Sequence, residues 1–585
     1  MKVFKFFYLL LIVLLCSCVL GTENTFETST PDWDGKTKEL IYNPDENNGI
    51  LVYELPKDVG TVKLTLPANA GVEVFYARLN HTDNIIPKAS TQYLVDNKRS
   101  VENDLVLSDY SEALKYSNIS GYANGLIRQD FVPARDFTPP QIKLNNSRYA
   151  SNSAISAPQM AVSQISGSVG ETKKLYVDSS ATGYSKRDAT LRAVGEHCYV
   201  WVVNDYYATT ASANKVNTAT AEALADQFDM IYGYVRNIFG QEAECIAHYS
   251  GGEVLLPIEN VSDTGSKVNI VLTDIQCDYS ATQQGGTFGY FWAKDYYSQA
   301  FANYAGDSTL KLSNEGKYFY VDTYFTNIAP DTVYSTLAHE FQHMIHFGVK
   351  FLTPLSQGRE GKSSSTWFNE MLSMLCEDMM QSKLGISDEN SPLFRLPWFC
   401  ANYILSGITD WLDGDYVNIS YATAYTFGAY LARNYGGPDL IKEIAQCSEV
   451  DKNAITYALG QAGKNETFKS VFTKYPRALT LSKDPEITFN RTVKSSTAYD
   501  RYDYPMKAFN IFEVAVPLDE ERTLYGPGLL SYNAQYELRP NGFSLHRVAW
   551  LTPAEVGTGG TMSLPFSSYV ADGTSVLLLV QPYDE

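Results

Sequence analysis

The sequence predicts a multidomain α+β protein in which a mixed helix-and-strand region, residues 188–480, lies between two β-rich domains, residues 37–187 and 481–585. Three observations predict it. The chain has 585 residues, more than one hydrophobic core organises. Apolar residues alternate at period two near both ends, as half-buried strands require, and in the middle they recur at steps of three and four, as a one-sided helix requires. A hydrophobic fraction of 44% and a charged fraction of 19% are those of a folded chain, which excludes extended disorder and a multi-span membrane protein.

At the N-terminus, Lys2 and Lys5 precede an apolar run from Phe6 to Leu15, a pattern that predicts an export signal and is too short to span a bilayer. Leu15-Cys16-Ser17-Cys18 follows and resembles the lipobox of bacterial lipoproteins. The resemblance implies that residues 1–18 are a signal peptide and that Cys18 carries a lipid, which makes the membrane contact and holds the protein to the cell envelope. The other reading is a signal removed without lipidation. Residues 19–36, with Thr28, Ser29, Thr30 and Pro31, have the composition of a flexible tether.

Val62, Leu64, Leu66, Val72 and Val74 then mark strands, Asn145 to Pro158 reads as a linker, and Lys174 to Val177 reads as another strand. Beyond residue 188, Cys198 to Val203, Val268 to Leu272 and Tyr318 to Val321 are strand-like. Ala221, Leu224, Phe228, Ile231, Val235 and Ile238 form a single helical stripe. Phe509 to Val516 and Val576 to Val580 predict strands in the last domain. Six cysteines follow residue 18, without CxxC or Cys/His ligand spacing. This argues against a cysteine metal site and leaves disulfides open. A net charge of −20 supplies no basic surface for nucleic acid.

The chemistry is concentrated in His339-Glu340-Phe341-Gln342-His343, an HExxH sequence in a helical pattern free of Gly and Pro up to Gly348. Residues four apart on a helix share a face, so His339 and His343 can present two imidazoles to one Zn²⁺, with Glu340 beside them to take a proton from water. A catalytic zinc needs a third protein ligand. Glu370, in Trp367-Phe368-Asn369-Glu370-Met371-Leu372-Ser373, lies on a second amphipathic segment that shares one face among Glu370, Ser373 and Glu377.

Asn369-Glu370 with Ser373 resembles the NExxS element of gluzincin metallopeptidases such as thermolysin. The set of HEFQHMIHF, WFNE and a later Tyr-rich helix is similar to the hyicolysin family of bacterial neutral metallopeptidases. The resemblance covers roughly residues 190–470. It implies a zincin-like, thermolysin-like catalytic domain, one catalytic zinc held by His339, His343 and Glu370, and Glu340 as general base. Met374 departs from the thermolysin pattern, in which an Asp at this position orients a zinc-bound His. Glu377 is then either the substitute or a solvated helix charge.

His346 occupies the Gly position of a metzincin motif, and Val349 its third His position, so that class is disfavoured. His346 is expected beside the metal or in a structural role, and His197 and His248 lie outside any ligand spacing. Tyr421 is a candidate donor to the oxyanion formed as water attacks a carbonyl, against the default of core packing, with Tyr425 one turn away. Gly285 to Phe291 is either a loop near the cleft or a turn. No ligand pattern supports a Ca²⁺ site. The expected activity is that of an exported zinc endopeptidase acting on protein or peptide substrates. Two alternatives stand beside it: an aminopeptidase with the same core, or a surface-binding lipoprotein whose metal site is inactive.

Overall fold

A computed structural model describes residues 36–87, 126–142, 167–250, 253–256, 267–517, 522–531, 536–566 and 572–583. The expected signal peptide, Cys18, nearly all of the tether and the Asn145–Pro158 linker lie outside the described residues. None of the described helices is long and apolar enough to cross a membrane.

The centre of the molecule is a six-stranded sheet built from β1 (Thr172–Asp178), β2 (Tyr184–Val194), β3 (Cys198–Val203), β4 (Val268–Thr273), β5 (Gly289–Phe291) and β6 (Tyr318–Asp322), in the order β5-β6-β4-β3-β2-β1. β3, β4 and β6 run parallel, and every residue of β4 is buried, because elements cover both faces of this part of the sheet. Val200, Val202, Ile270 and Leu272 point to one side and Trp201, Val203 and Val271 to the other, the alternation a pleated strand imposes. β5 runs antiparallel to β6 and forms the edge of the sheet, with Phe291 opposite Phe319.

Four helices pack on the sheet and on one another. α1 (Thr218–Phe239) carries the predicted apolar stripe and begins where the Asn217 side chain accepts the Thr220 N–H at 2.9 Å. α2 (Pro330–Phe347) starts with a proline in its first turn and carries HExxH in its last three turns. α3 (Thr366–Leu384) lies against α2, and α4 (Val417–Tyr435) lies against α3. Two glycines make these approaches close. A Cβ on Gly428 of α4 would meet Met371 Cγ at 2.7 Å, and one on Gly289 of β5 would meet Thr336 Cγ2 of α2 at 2.9 Å. The edge strand therefore lies directly on the helix that bears the motif.

The expected division into two flanking β domains differs from the observed topology. Leu51–Glu54 and Val72–Asn80 from the N-terminal part join Leu530–Ser531, Phe543–Leu551 and Thr574–Pro582 from the C-terminal part in one five-stranded sheet. Lys36–Ile41, Val59–Leu66 and Gly560–Pro565 form a second sheet in the same way. Each end alone exposes unpaired strand edges and one apolar face. Joined, they bury a common core containing Val62, Leu64, Val74, Tyr76, Leu564 and Leu578.

The boundary at residue 188 also shifts, because β1 and the first four residues of β2 precede it and pair within the central sheet, Thr172 opposite Thr190. The predicted strand at Phe509–Val516 is mostly a turn. Asn510 accepts the Phe512 N–H at 3.2 Å and bends the chain, so that the strand is only Ala515–Pro517. The cysteines Cys198, Cys245, Cys277, Cys376, Cys400 and Cys447 are free thiols.

Because Thr574–Pro582 lies between Val72–Asn80 and Leu51–Glu54, a chain ending at Phe566 should lose both N-terminal pairings. Trypsin should then cut at the buried Arg78 under conditions that spare the full chain. Equal resistance at Arg78 would show that the two ends fold independently.

Candidate metal centre and catalytic site

α2 places His339 and His343 one turn apart, their rings 4.6 Å from each other and nearly perpendicular. α3 packs alongside and brings Glu370 between them: Oε2 lies 3.1 Å from His339 Nε2, and Oε1 lies 3.4 Å from His343 Nε2. All three side chains are buried or nearly so and offer ligand atoms within 4.8 Å of one another. Among the described residues they are the one group of three or more His, Cys, Asp or Glu side chains so arranged. Ligands about 2.0–2.1 Å from a tetrahedral zinc lie about 3.3 Å apart, and the 3.1 and 3.4 Å between the carboxylate and the two nitrogens match that spacing.

The orientation of each imidazole has a cause. Glu377, two turns beyond Glu370 on α3, is 2.6 Å from His339 Nδ1 and accepts the Ser335 hydroxyl at 2.7 Å. Burial disfavours its charged form, but Arg128 and His339 outweigh burial and hold its carboxyl at about 2, so Glu377 is an anion facing His339 Nδ1. That contact orients the His339 ring so that Nε2 faces Glu370 and the cavity. Glu377 is 2% exposed, which removes the reading of it as a solvated charge and leaves it in the position that Met374 cannot fill. Ser373 Oγ lies 3.0 Å from His343 Nδ1 and also bonds Gln342, so the serine of the NExxS element orients the second imidazole.

Burial opposes charge on His343, yet the adjacent Glu370 carboxylate prevails and pushes the imidazole up to about 9. In turn Glu370 is held well below the usual carboxylate range, burial being outweighed by the two histidines.

Glu340 stands beside this group, 3% exposed, with Oε2 accepting the Phe291 N–H of β5 at 2.8 Å. The predicted Gly285–Phe291 segment is therefore a cleft wall, since its last three residues are β5. Tyr421 of α4 lines the same cavity of about 260 Å³ as His339, Glu340, His343 and Glu370. Burial, and then the charge of Asp130, push its phenol well above the ordinary value, so it stays protonated and able to donate. Arg395 lies 4.7 Å from the centre of its ring. Tyr425 instead donates to Asp378 at 2.9 Å in the core and does not line the cavity.

His346 also lines the cavity, with Nε2 2.7 Å from Ser364 Oγ. His248 pairs with Ser298 at 2.9 Å, and His197 stacks on Tyr232 with ring centres 4.0 Å apart, both away from the centre.

Sequence reasoning missed the stretch around Arg128. Arg128 Nη2 lies 3.1 Å from Glu340 Oε1, and Nη1 lies 3.4 Å from Glu377 Oε1. Asp130 accepts the Tyr421 hydroxyl at 3.2 Å and Arg135 Nη1 at 3.0 Å. Burial and the nearby Glu370 raise Asp130 to about 6 against the pull of Arg135. No spacing links these residues to a motif more than 200 positions away. Ser335, by contrast, sits one turn before His339 on the same face and was readable.

No family model matches the chain. It is 29% identical over 283 residues to the neutral metalloprotease ShpI of Staphylococcus hyicus, a match covering 46% of this chain and 53% of that protein. The chain thus spans about half the length of the curated relative it matches. This likeness supports a metalloprotease family for the chain, and the His-His-Glu group is where such a family would hold its metal.

Replacing Glu377 with Gln should leave the fold and weaken zinc binding about 10–100-fold, as loss of a carboxylate that orients a ligating histidine does elsewhere. Competition against a chromogenic chelator measures this. Unchanged affinity would mean that Glu377 does not control His339.

Proposed function

We propose that this chain is a zinc-dependent endopeptidase of the gluzincin, hyicolysin type, exported and held at the bacterial envelope by a lipid on Cys18. The observation that carries the reading is Glu370 standing between His339 and His343 with Glu340 at their side against the sheet edge. A structural zinc site usually closes its coordination with four protein ligands, whereas three ligands beside an unligating carboxylate leave a place for water, which is the catalytic arrangement. Zinc bound there supplies Lewis acidity, polarising a substrate carbonyl and acidifying the attacking water.

The residues do the rest. β5 is the edge strand of its sheet, and a peptide laid along that edge in extended form places a carbonyl over the centre. Glu340 takes a proton from water as it attacks that carbonyl, then delivers it to the departing amine. Tyr421, protonated and lining the cleft, donates to the oxygen that becomes negative. Glu377 and Ser373 orient His339 and His343 from behind. Export and anchoring rest on Lys2, Lys5, the apolar run to Leu15 and the Cys18 that follows Ser17.

Glu340→Gln keeps the shape of the side chain and removes its basicity. It should lower hydrolysis of casein and of N-terminally blocked peptides by about 10²–10⁴-fold at unchanged zinc content. Full activity in this variant would rule out the mechanism, and cleavage confined to unblocked peptides would make the enzyme an aminopeptidase.

A further inference from the structure

Glu340 reaches the cleft on a long side chain, and the water it activates has to meet both this carboxylate and the His-His-Glu centre. A displacement of the carboxylate by about 1 Å is enough to slow such a step about 10²-fold. Two donors hold it in place. The Phe291 N–H of β5 donates to Oε2 at 2.8 Å, and Arg128 Nη2 donates to Oε1 at 3.1 Å. A carboxylate oxygen accepts in two directions, so each one held this way keeps a lone pair for water. The edge strand also presses on the stem of the side chain, since a Cβ on Gly289 would lie 3.4 Å from Glu340 Cγ.

Arg128 is anchored on the same run of chain that supplies the Phe291 N–H. The Ile127 N–H donates to Gln284 O and the Gln129 N–H to Gly286 O, each at 2.8 Å, in a parallel pairing with Gly285–Gly286 just ahead of β5. The approach is close, because a Cβ on Gly285 would meet Ile127 O at 2.9 Å. Beyond Arg128, Phe131 stacks on Tyr290 of β5 with ring centres 3.8 Å apart. The guanidinium, 7% exposed and lining the cleft, therefore starts from a fixed point on the cleft wall. Its other arm, Nη1, lies 3.4 Å from Oε1 of Glu377, the carboxylate behind His339. One planar fork thus spans the base and the group that orients a metal-ligating imidazole, a span that the single ammonium of a lysine does not cover.

We propose that Arg128 is a positioning residue for the reaction: it fixes the Glu340 carboxylate relative to the His339 imidazole, so that a residue outside 190–470 completes the catalytic geometry. The proposal rests on the peptidase reading and adds to it a residue that no part of the HExxH or NExxS patterns contains. Arg128 acts through Glu340 and not on the peptide laid along β5. Its loss therefore slows turnover and leaves substrate binding as it was, which places the effect on kcat and not on KM.

The test compares the full-length, zinc-loaded protein with Arg128→Ala and Arg128→Lys. Cleavage of a quenched, N-terminally blocked peptide gives kcat and KM, with and without millimolar guanidinium chloride. Calorimetry gives the dissociation constant of a zinc-directed peptide hydroxamate, whose hydroxyl donates to a base beside the metal. Arg128→Ala should lose about 10²-fold in kcat with KM nearly unchanged, at unaltered zinc content. Guanidinium should restore part of that loss, whereas sodium chloride at the same concentration should not. The hydroxamate should bind about tenfold more weakly, the loss of one charge-assisted contact, and Arg128→Lys should fall between the two proteins in both readings. A kcat equal to that of the unaltered protein, a loss confined to KM, or a loss that guanidinium leaves untouched would overturn the proposal. If Arg128→Ala does not fold, Arg128→Lys decides: unchanged kcat and hydroxamate affinity would overturn it, and a fall in both would support it. Weakened hydroxamate binding in the variants, with no cleavage even by the unaltered protein, would retain the role of Arg128 and defeat the peptidase reading.

Discussion

Three buried carboxyl groups, Glu340, Glu370 and Glu377, and the nearly buried Asp130 crowd one cleft, and the arrangement around it follows from the need to compensate them. An uncompensated buried charge costs several kcal/mol, and removing one partner of a buried pair typically costs about 3–5 kcal/mol. Here compensation comes from two imidazoles, from the guanidinium of Arg128 and from the hydroxyls of Ser335 and Tyr421. Because the imidazoles stand on α2 and two of the carboxylates on α3, the register between these helices is constrained by charge as well as by packing. Shifting either helix by one residue would separate Glu370 from both histidines.

The sheet and the helices behind it serve this register. The Gly289 approach seats β5 on α2 near Glu340, and the Gly428 approach seats α4 on α3, which brings Tyr421 to the cleft. Function thus depends on distances set by residues without side chains. The β sheets made from the two chain ends bury a core of their own on one face, while Phe75, Ala77, Leu79, Leu577 and Leu579 on the other face of the larger sheet belong to the core of the helices.

Much of the centre was legible in the chain because the signals are local. HExxH states the spacing of two ligands on one helix, Glu370 and Glu377 lie two turns apart on one face of another, and the strands Cys198–Val203, Val268–Thr273 and Tyr318–Asp322 read directly as apolar runs. The role of Glu377 stayed open in the sequence because a carboxylate on a helix is solvated or buried according to what packs against it, and only the neighbouring α2 decides that. Two features had no local signal. The joining of Val72–Asn80 to Thr574–Pro582 spans about 500 residues and is a matter of edge pairing. The placement of Arg128 and Asp130 depends on a two-residue strand too short to carry a periodic pattern.

The account depends most on where a metal sits. Zinc-loaded protein examined by X-ray absorption, together with anomalous diffraction at the zinc edge, should place one ion with two imidazole nitrogens at about 2.0–2.1 Å and a carboxylate oxygen at about 2.0–2.2 Å, from His339, His343 and Glu370. An ion bound elsewhere, or one held by the two histidines while Glu370 turns away, would contradict it.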